Sequence, residues 1–218
     1  MAPLPFVEQL VTVVPVEPSH LDVPADALEF ARTAAGFWHS TLSPMHGALL
    51  AAAIANHGEM PAPTLVDRAF DANGRAVEMP LAAAGPRRVV PLDAAREVGR
   101  MMELTTRIGT AKATFRDKQG HRYLPVEVAG KTGTLSAETD RGYLGYSWFV
   151  GYAPTDHPSI AFAVALGNSP QWRIKATYVA RRIVAEHIRS GALKGSRAPR
   201  DELRAAKPRT AHAIAGQI

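Results

Sequence analysis

The chain contains no cysteine, which excludes disulfides and thiol chemistry while leaving its compartment open. It has no apolar run of about 18 residues, so no membrane span is expected. Its opening residues, Met1-Ala2-Pro3-Leu4-Pro5-Phe6, lack a basic leader followed by an apolar stretch, so no export signal is expected. No internal repeat is present. Cofactor and metal signals are also missing. His46 and His57 fall three turns apart on one predicted helix, but no Asp, Glu or Cys joins them at ligand spacing. Asp71-Ala72-Asn73-Gly74 has the order of a calcium loop without its remaining oxygen ligands, and a hairpin turn accounts for it. No cofactor and no metal are therefore expected.

What is present describes a soluble globular protein. The 218 residues are 46% hydrophobic and 21% charged, enough for one large domain or two small ones. The net charge of +5 is local. Residues 192–218 carry Lys194, Arg197, Arg200, Arg204, Lys207 and Arg209 against Asp201 and Glu202. The rest of the chain is close to neutral, so nucleic acid is not an expected partner. The tail reads as a solvated, poorly ordered end.

The most informative stretch is Val128-Ala129-Gly130-Lys131-Thr132-Gly133-Thr134-Leu135-Ser136. A Lys-Thr-Gly triplet on a strand is one of three signature elements of serine acyl-transferases that handle D-alanyl peptides and β-lactams. There the lysine supplies fixed positive charge and the hydroxyls supply donors for a carboxylate. Gly133 would let a substrate backbone approach the strand. The same residues resemble the tail of a phosphate-binding loop, Gly-x4-Gly-Lys-[Ser/Thr]. Against that reading, the first glycine falls at Pro125, which has no N–H to donate, and Gly133-Thr134-Leu135-Ser136 opens a helix poorly. No serine is followed three residues later by lysine, and no Ser-x-Asn or Tyr-x-Asn occurs.

Elsewhere the pattern is coarse but legible. Five prolines within residues 1–24 predict extended loop. Residues 25–37 suit a short helix with Leu28, Ala31 and Ala35 on one face. Ser43 as N-cap and Pro44 at the first helical position open a helix over Met45–Asn56, closed by Gly58. That helix is apolar all round, so burial on all sides is expected. Thr64–Phe70 and Arg75–Val77 read as short strands. Leu92–Ile108 reads as a helix with Ala95, Val98, Met101, Met102, Thr105 and Ile108 as its apolar stripe, the methionines as core filler. Residues 109–120 read as loop or frayed helix end. Strands are predicted at Leu124–Leu135, Tyr146–Tyr152 and Ile160–Leu166, and short connections argue for antiparallel pairing. A last helix spans Lys175–Ile188, with Val179, Ile183 and Val184 inward and Arg181, Arg182 and Arg189 outward. The class is α+β: an antiparallel sheet with flanking helices.

Three segments in order carry a resemblance. Ser43-Pro44-Met45-His46 through Ala55-Asn56-His57-Gly58 is similar to the "(Thr/Ser)-Pro-Leu-Gln … Ala-x-x-Ala-Asn-Gly-Gly" helix of penicillin-binding protein transpeptidase domains. Gly130-Lys131-Thr132-Gly133-Thr134 matches their third catalytic motif. Trp148-Phe149-Val150-Gly151-Tyr152-Ala153-Pro154 is similar to their next strand. The chain thus resembles the C-terminal half of such a domain over residues 1–191, with 192–218 as a tail, and a partial β-lactamase/transpeptidase-like fold is implied.

The resemblance implies peptidoglycan stem peptides and β-lactams as partners. It makes Lys131 and Thr134 catalytic, with Lys131, Thr132, Gly133 and Thr134 binding substrate. The Thr134 N–H would be half of an oxyanion hole. It also implies a cell-envelope location and a missing N-terminal half bearing the Ser-x-x-Lys and Ser-x-Asn elements. A truncation or late start is therefore expected, and the chain by itself should be an inactive fragment. Other readings are a remnant of a D,D-carboxypeptidase or β-lactamase, a non-catalytic peptidoglycan- or partner-binding module, and a nucleotide-binding protein.

Overall fold

A computed structural model describes residues 16–36, 39–63, 68–77, 86–140, 142–168 and 173–191. The basic tail and the first fifteen residues lie outside the described residues, as does the 64–67 part of the predicted strand. In chain order the elements are β1 (His20–Leu21), α1 (Ala27–Ala34), β2 (Ser40–Thr41), α2 (Pro44–Ala55), β3 (Glu59–Met60), β4 (Ala69–Phe70), β5 (Ala76–Val77) and β6 (Arg87–Arg88). Then come α3 (Leu92–Arg107), α4 (Lys112–Phe115), β7 (Ala129–Thr139), β8 (Gly142–Ala153), β9 (Ile160–Asn168) and α5 (Ala176–Arg189). The long strands form one antiparallel sheet in the order β7-β8-β9. The short ones pair as three antiparallel ribbons, of which β4–β5 closes over the Asp71–Gly74 turn.

Alternation along β8 sorts the packing. Ser147, Phe149, Gly151 and Ala153 face α5. Phe149 and Ala153 join Phe115, Phe162, Val164, Ala180 and Val184 in the main core. Tyr152 is on the other face with Ala129 and Met102 of α3, and Val150 lies against Gly47 of α2. Burial of Tyr152 raises its pKa, helped by the nearby Glu103. The Ser159 hydroxyl, 2.9 Å from His187 Nε2, and the Thr114–Thr177 contact at 3.0 Å tie α5 to the sheet and to α4.

Helix α2 starts as its sequence predicts. The Ser43 hydroxyl accepts from the His46 N–H, and Gly58, at φ 95°, closes the end by donating to Ala53 O. His46 is buried in this helix.

Three expectations fail in whole or in part. The α3 stripe holds only in part: Ala95 and Met102 are buried as expected and Gly99 and Thr106 join them, while Met101 and Ile108 are 52% and 73% exposed. Met101 lies one residue, about 100° of helix, from the true contact line, so it is not core filler. In α5, Val184 is fully buried but Ile183 is 37% exposed. Arg181 turns inward over Tyr123, at 4.8 Å from the ring centroid, and donates to Thr114 O. Helix α1 forms within the predicted residues 25–37, and none of its residues is buried. Finally, β7 begins at Ala129 rather than Leu124 and continues to Thr139, and β8 begins at Gly142, so residues 136–145 between the two predicted strands are mostly strand.

Two outcomes are expected. A Cβ on Gly130 would lie 2.3 Å from Phe149 Cζ, and Phe149 has no room to move at 0% exposure. Gly130→Ala should therefore lower stability by about 1–3 kcal/mol or more in denaturant titrations; an unchanged midpoint would refute that packing. Burial holds the His46 pKa below its ordinary 6.5. The unfolded chain takes up a proton near that value and the native chain resists. This contribution to stability is present above pH 6.5 and lost as pH falls below it. The thermal midpoint should drop between pH 7 and 5, and drop less in His46→Gln.

Candidate functional site

The predicted residues all lie on the margin strand β7, whose outer edge carries no partner strand among the described residues. Its register with β8 pairs Lys131 with Val150, Thr132 with Phe149, Gly133 with Trp148 and Thr134 with Ser147. The pleat therefore sends the Lys131 side chain to the α2/α3 face and both threonine side chains to the α5 face. The residues meet at the edge rather than on one face.

Backbone direction can be read from two independent contacts. Ala129 O comes so near Gly151 that a Cβ there would be 2.2 Å away, so Ala129 points its polar groups at β8. In an antiparallel ladder alternate residues point opposite ways. Gly130, Thr132 and Thr134 then direct their N–H and C=O groups to the open margin. In accord with this, the exposed Lys131 Nζ reaches round and donates to Thr132 O at 2.8 Å. The margin thus presents an ammonium group, two hydroxyls and the Thr134 N–H, a donor set suited to an anionic or carbonyl oxygen.

Glycines make this edge possible. Gly130 lies flat on the Phe149 ring, and a Cβ on Gly133 would approach Trp148 Cβ to 3.0 Å. Residues after Lys131 continue as strand for eight positions with no helix, so the phosphate-loop reading falls.

The start of β7 is held from two sides. The Arg116 guanidinium donates to both Glu127 oxygens at 2.6 and 2.7 Å, with Arg122 3.5 Å from the same carboxylate. On the other side the Thr106 hydroxyl donates to Val128 O at 2.6 Å, fully buried. Past α3 the chain crosses from the Met102 side of the sheet to the Phe115 side. In that crossing Thr110 brings its hydroxyl to 2.9 Å from Thr132 Oγ1. The sequence alone reads as loop or frayed helix end here and does not single out Thr110. Its partner is 22 residues away, so no local pattern announces it. His57 is exposed at the end of α2 while His46 is in the core, and among the described residues no group of three or more His, Cys, Asp or Glu could hold a metal.

Comparison with known proteins decides the family. The profile of the penicillin-binding protein transpeptidase domain matches residues 22–188. The chain belongs to the penicillin-binding protein transpeptidase family. A D,D-transpeptidase domain of a peptidoglycan glycosyltransferase from Eggerthella lenta is 26% identical, with a TM-score of 0.55, over 72% of this chain and 34% of that one. Penicillin-binding protein A from M. tuberculosis, as a ceftriaxone acyl-enzyme complex, is 25% identical with a TM-score of 0.62, over 81% and 38%. Penicillin-binding protein 2B from Streptococcus pneumoniae strain R6, at 22% identity and a TM-score of 0.60 over 80% and 29%, supports the fold alone. No curated protein sequence matches. The chain spans well under half the length of these structures. Among the described residues no helix is long and apolar enough to cross a membrane.

Thr106→Val should test how the start of β7 is held. It leaves Val128 O buried without this donor, at a cost of about 1–3 kcal/mol. The expected result is a lower denaturation midpoint with amide exchange accelerated most at Val128–Thr132. Uniform acceleration across the sheet would mean that Thr106 does not anchor this strand in particular.

Proposed function

We propose that the β7 margin is the carboxylate-binding side of a peptidoglycan D,D-transpeptidase site, acting at the cell envelope on D-alanyl-D-alanine termini and on the β-lactams that mimic them. The observation that carries this reading is the open strand edge with Lys131 Nζ, the Thr132 and Thr134 hydroxyls and the Thr134 N–H on one margin. Lys131 provides the positive potential that an anionic terminus needs, and charge-assisted bonds from the hydroxyls fix its orientation. The Thr134 N–H serves as one oxyanion donor. Acylation needs a serine and a base at the same margin, and the sequence contains no Ser-x-x-Lys. The chain by itself therefore binds and does not acylate.

The nucleophile comes, in this reading, from the rest of a transpeptidase domain, docked against two surfaces left open here. Met101, Leu104 and Ile108 line the outer side of α3 at spacings of three and four, all exposed, and Ile108 is two residues from Thr110. Strand β9 is the second. Residues 160–166 are wholly apolar, α2 and α5 cover both faces, and its outer edge is unpaired among the described residues. Strands covered on both faces ordinarily lie inside a sheet. A second reading, a non-catalytic peptidoglycan-binding module, uses the same margin without the added segment.

Titration of the chain with N-acetyl-D-alanyl-D-alanine, followed by NMR, tests the site. Weak saturable shifts at Lys131–Thr134 are expected, lost about tenfold in affinity in Lys131→Ala. Labelled penicillin should leave no covalent adduct. An adduct on any hydroxyl of this chain would refute the division of labour, and shifts confined to other residues would refute the site.

A further inference from the structure

We propose that Thr110 is a positioning residue for this margin: its hydroxyl sets the direction in which Thr132 donates. The proposal rests on the margin being a carboxylate site, as argued above. The contact that carries it is the 2.9 Å separation of the two hydroxyl oxygens. A hydroxyl has one proton to give and two lone pairs. A carboxylate only accepts, so Thr132 can bond one only by pointing its own proton outward. Its contact with Thr110 must then run one way: Thr110 donates to Thr132, and Thr132 donates to the anion. Each bond in such a chain polarises the next.

The local structure is built to hold Thr110 there. Thr106 anchors the end of α3 to Val128 O. Ala111, immediately after Thr110, is buried in the main core and donates to Thr105 O. Gly109 lets the chain turn this tightly, since a Cβ on it would stand 2.9 Å from Thr105 Cα. A core anchor on each side thus brings an otherwise exposed threonine to the strand margin. A solvent-accessible hydroxyl pair adds little to folding stability, so stability alone is a poor reason for this arrangement. Orientation of Thr132, whose β-branched side chain has few rotamers to choose among, is a better one.

Thr110→Val removes the donor and keeps the shape; Thr110→Ser keeps the donor. Three-bond methyl couplings of Thr132 report its χ1 with no ligand present. Titrations with N-acetyl-D-alanyl-D-alanine and with its C-terminal amide report carboxylate recognition. In Thr110→Val the couplings should move to rotamer-averaged values. Its Kd for the carboxylate peptide should rise about three- to tenfold, with no change for the amide and no change in thermal midpoint. Thr110→Ser should match the parent. Unchanged couplings in Thr110→Val overturn the positioning role whatever happens to binding. Averaged couplings with an unchanged Kd overturn its relevance to the ligand. If the parent chain responds in its couplings but fails to bind the carboxylate peptide, the site reading fails, and the contact is reduced to a local one.

Discussion

The flat contact between the Phe149 ring and the backbone of Gly130 is the constraint on which the margin depends. Phe149 is fully buried, between Phe115 at 5.5 Å and Phe162 at 5.9 Å, and its strand partner is Thr132. That stack fixes the register of β7 against β8. A slip of one residue would exchange the two faces of β7. Lys131 would then be driven toward the Phe149 core and the two threonines toward α3. An unpaired ammonium group in that core is too costly to persist, so register and charge placement enforce one another. The glycine before the lysine is a packing requirement first, and chemistry is built on it.

A second layer of constraint comes from the segment between α3 and β7. Thr106 and Thr110, one helical turn apart in spacing, reach opposite kinds of partner: a buried carbonyl and an exposed hydroxyl. The first fixes where the strand begins, the second how one side chain on it is turned. The Arg116–Glu127 pair, with the carboxylate also near Arg122, restrains the same strand start from the other side. It is partly buried and doubly bonded, so it restrains better than the exposed pairs on α1 and α5, which screening weakens. The edge is therefore preorganised by contacts from outside the strand, one at the margin itself and the others at the strand's start.

Much of this was legible in the sequence where the signal is local. Ser43-Pro44 declares its helix start through capping chemistry, and Gly58 its end through a positive φ. The order of the three long strands follows from short connections. Lys131, Thr132, Gly133 and Thr134 were found as a motif, and the structure puts all four on one open edge. The misses share a cause. Met101 and Ile183 are apolar residues one step off the contact line, and composition cannot say which of two adjacent apolar residues faces inward. Leu124–Val128 looks like strand but is spent on side-chain anchoring before pairing begins. Arg181 reads as solvent-facing charge, but Tyr123, Tyr178 and the Thr114 carbonyl hold it. Thr110 acts on a residue 22 positions away, which no window of local sequence reveals.

The two readings of the margin differ less in chemistry than in what covers the sheet. Binding an anionic peptide end needs only the lysine, the hydroxyls and the strand backbone, and a stand-alone module could do that. Among the described residues such a module would have β9 as an edge. Natural edge strands are guarded by charge, proline or a bulge. From Ile160 to Leu166 there is none of these, and both faces are already taken by helices. An apolar strand of this kind, left open, templates aggregation. The exposed α3 stripe adds apolar surface beside the same margin, and contiguous patches of that kind mark interfaces. The burden therefore falls on the module reading to explain why two apolar surfaces, open among the described residues, flank this margin in a sequence with no Ser-x-x-Lys. A docked segment that pairs with β9, covers α3 and brings a serine to β7 accounts for all three with one event.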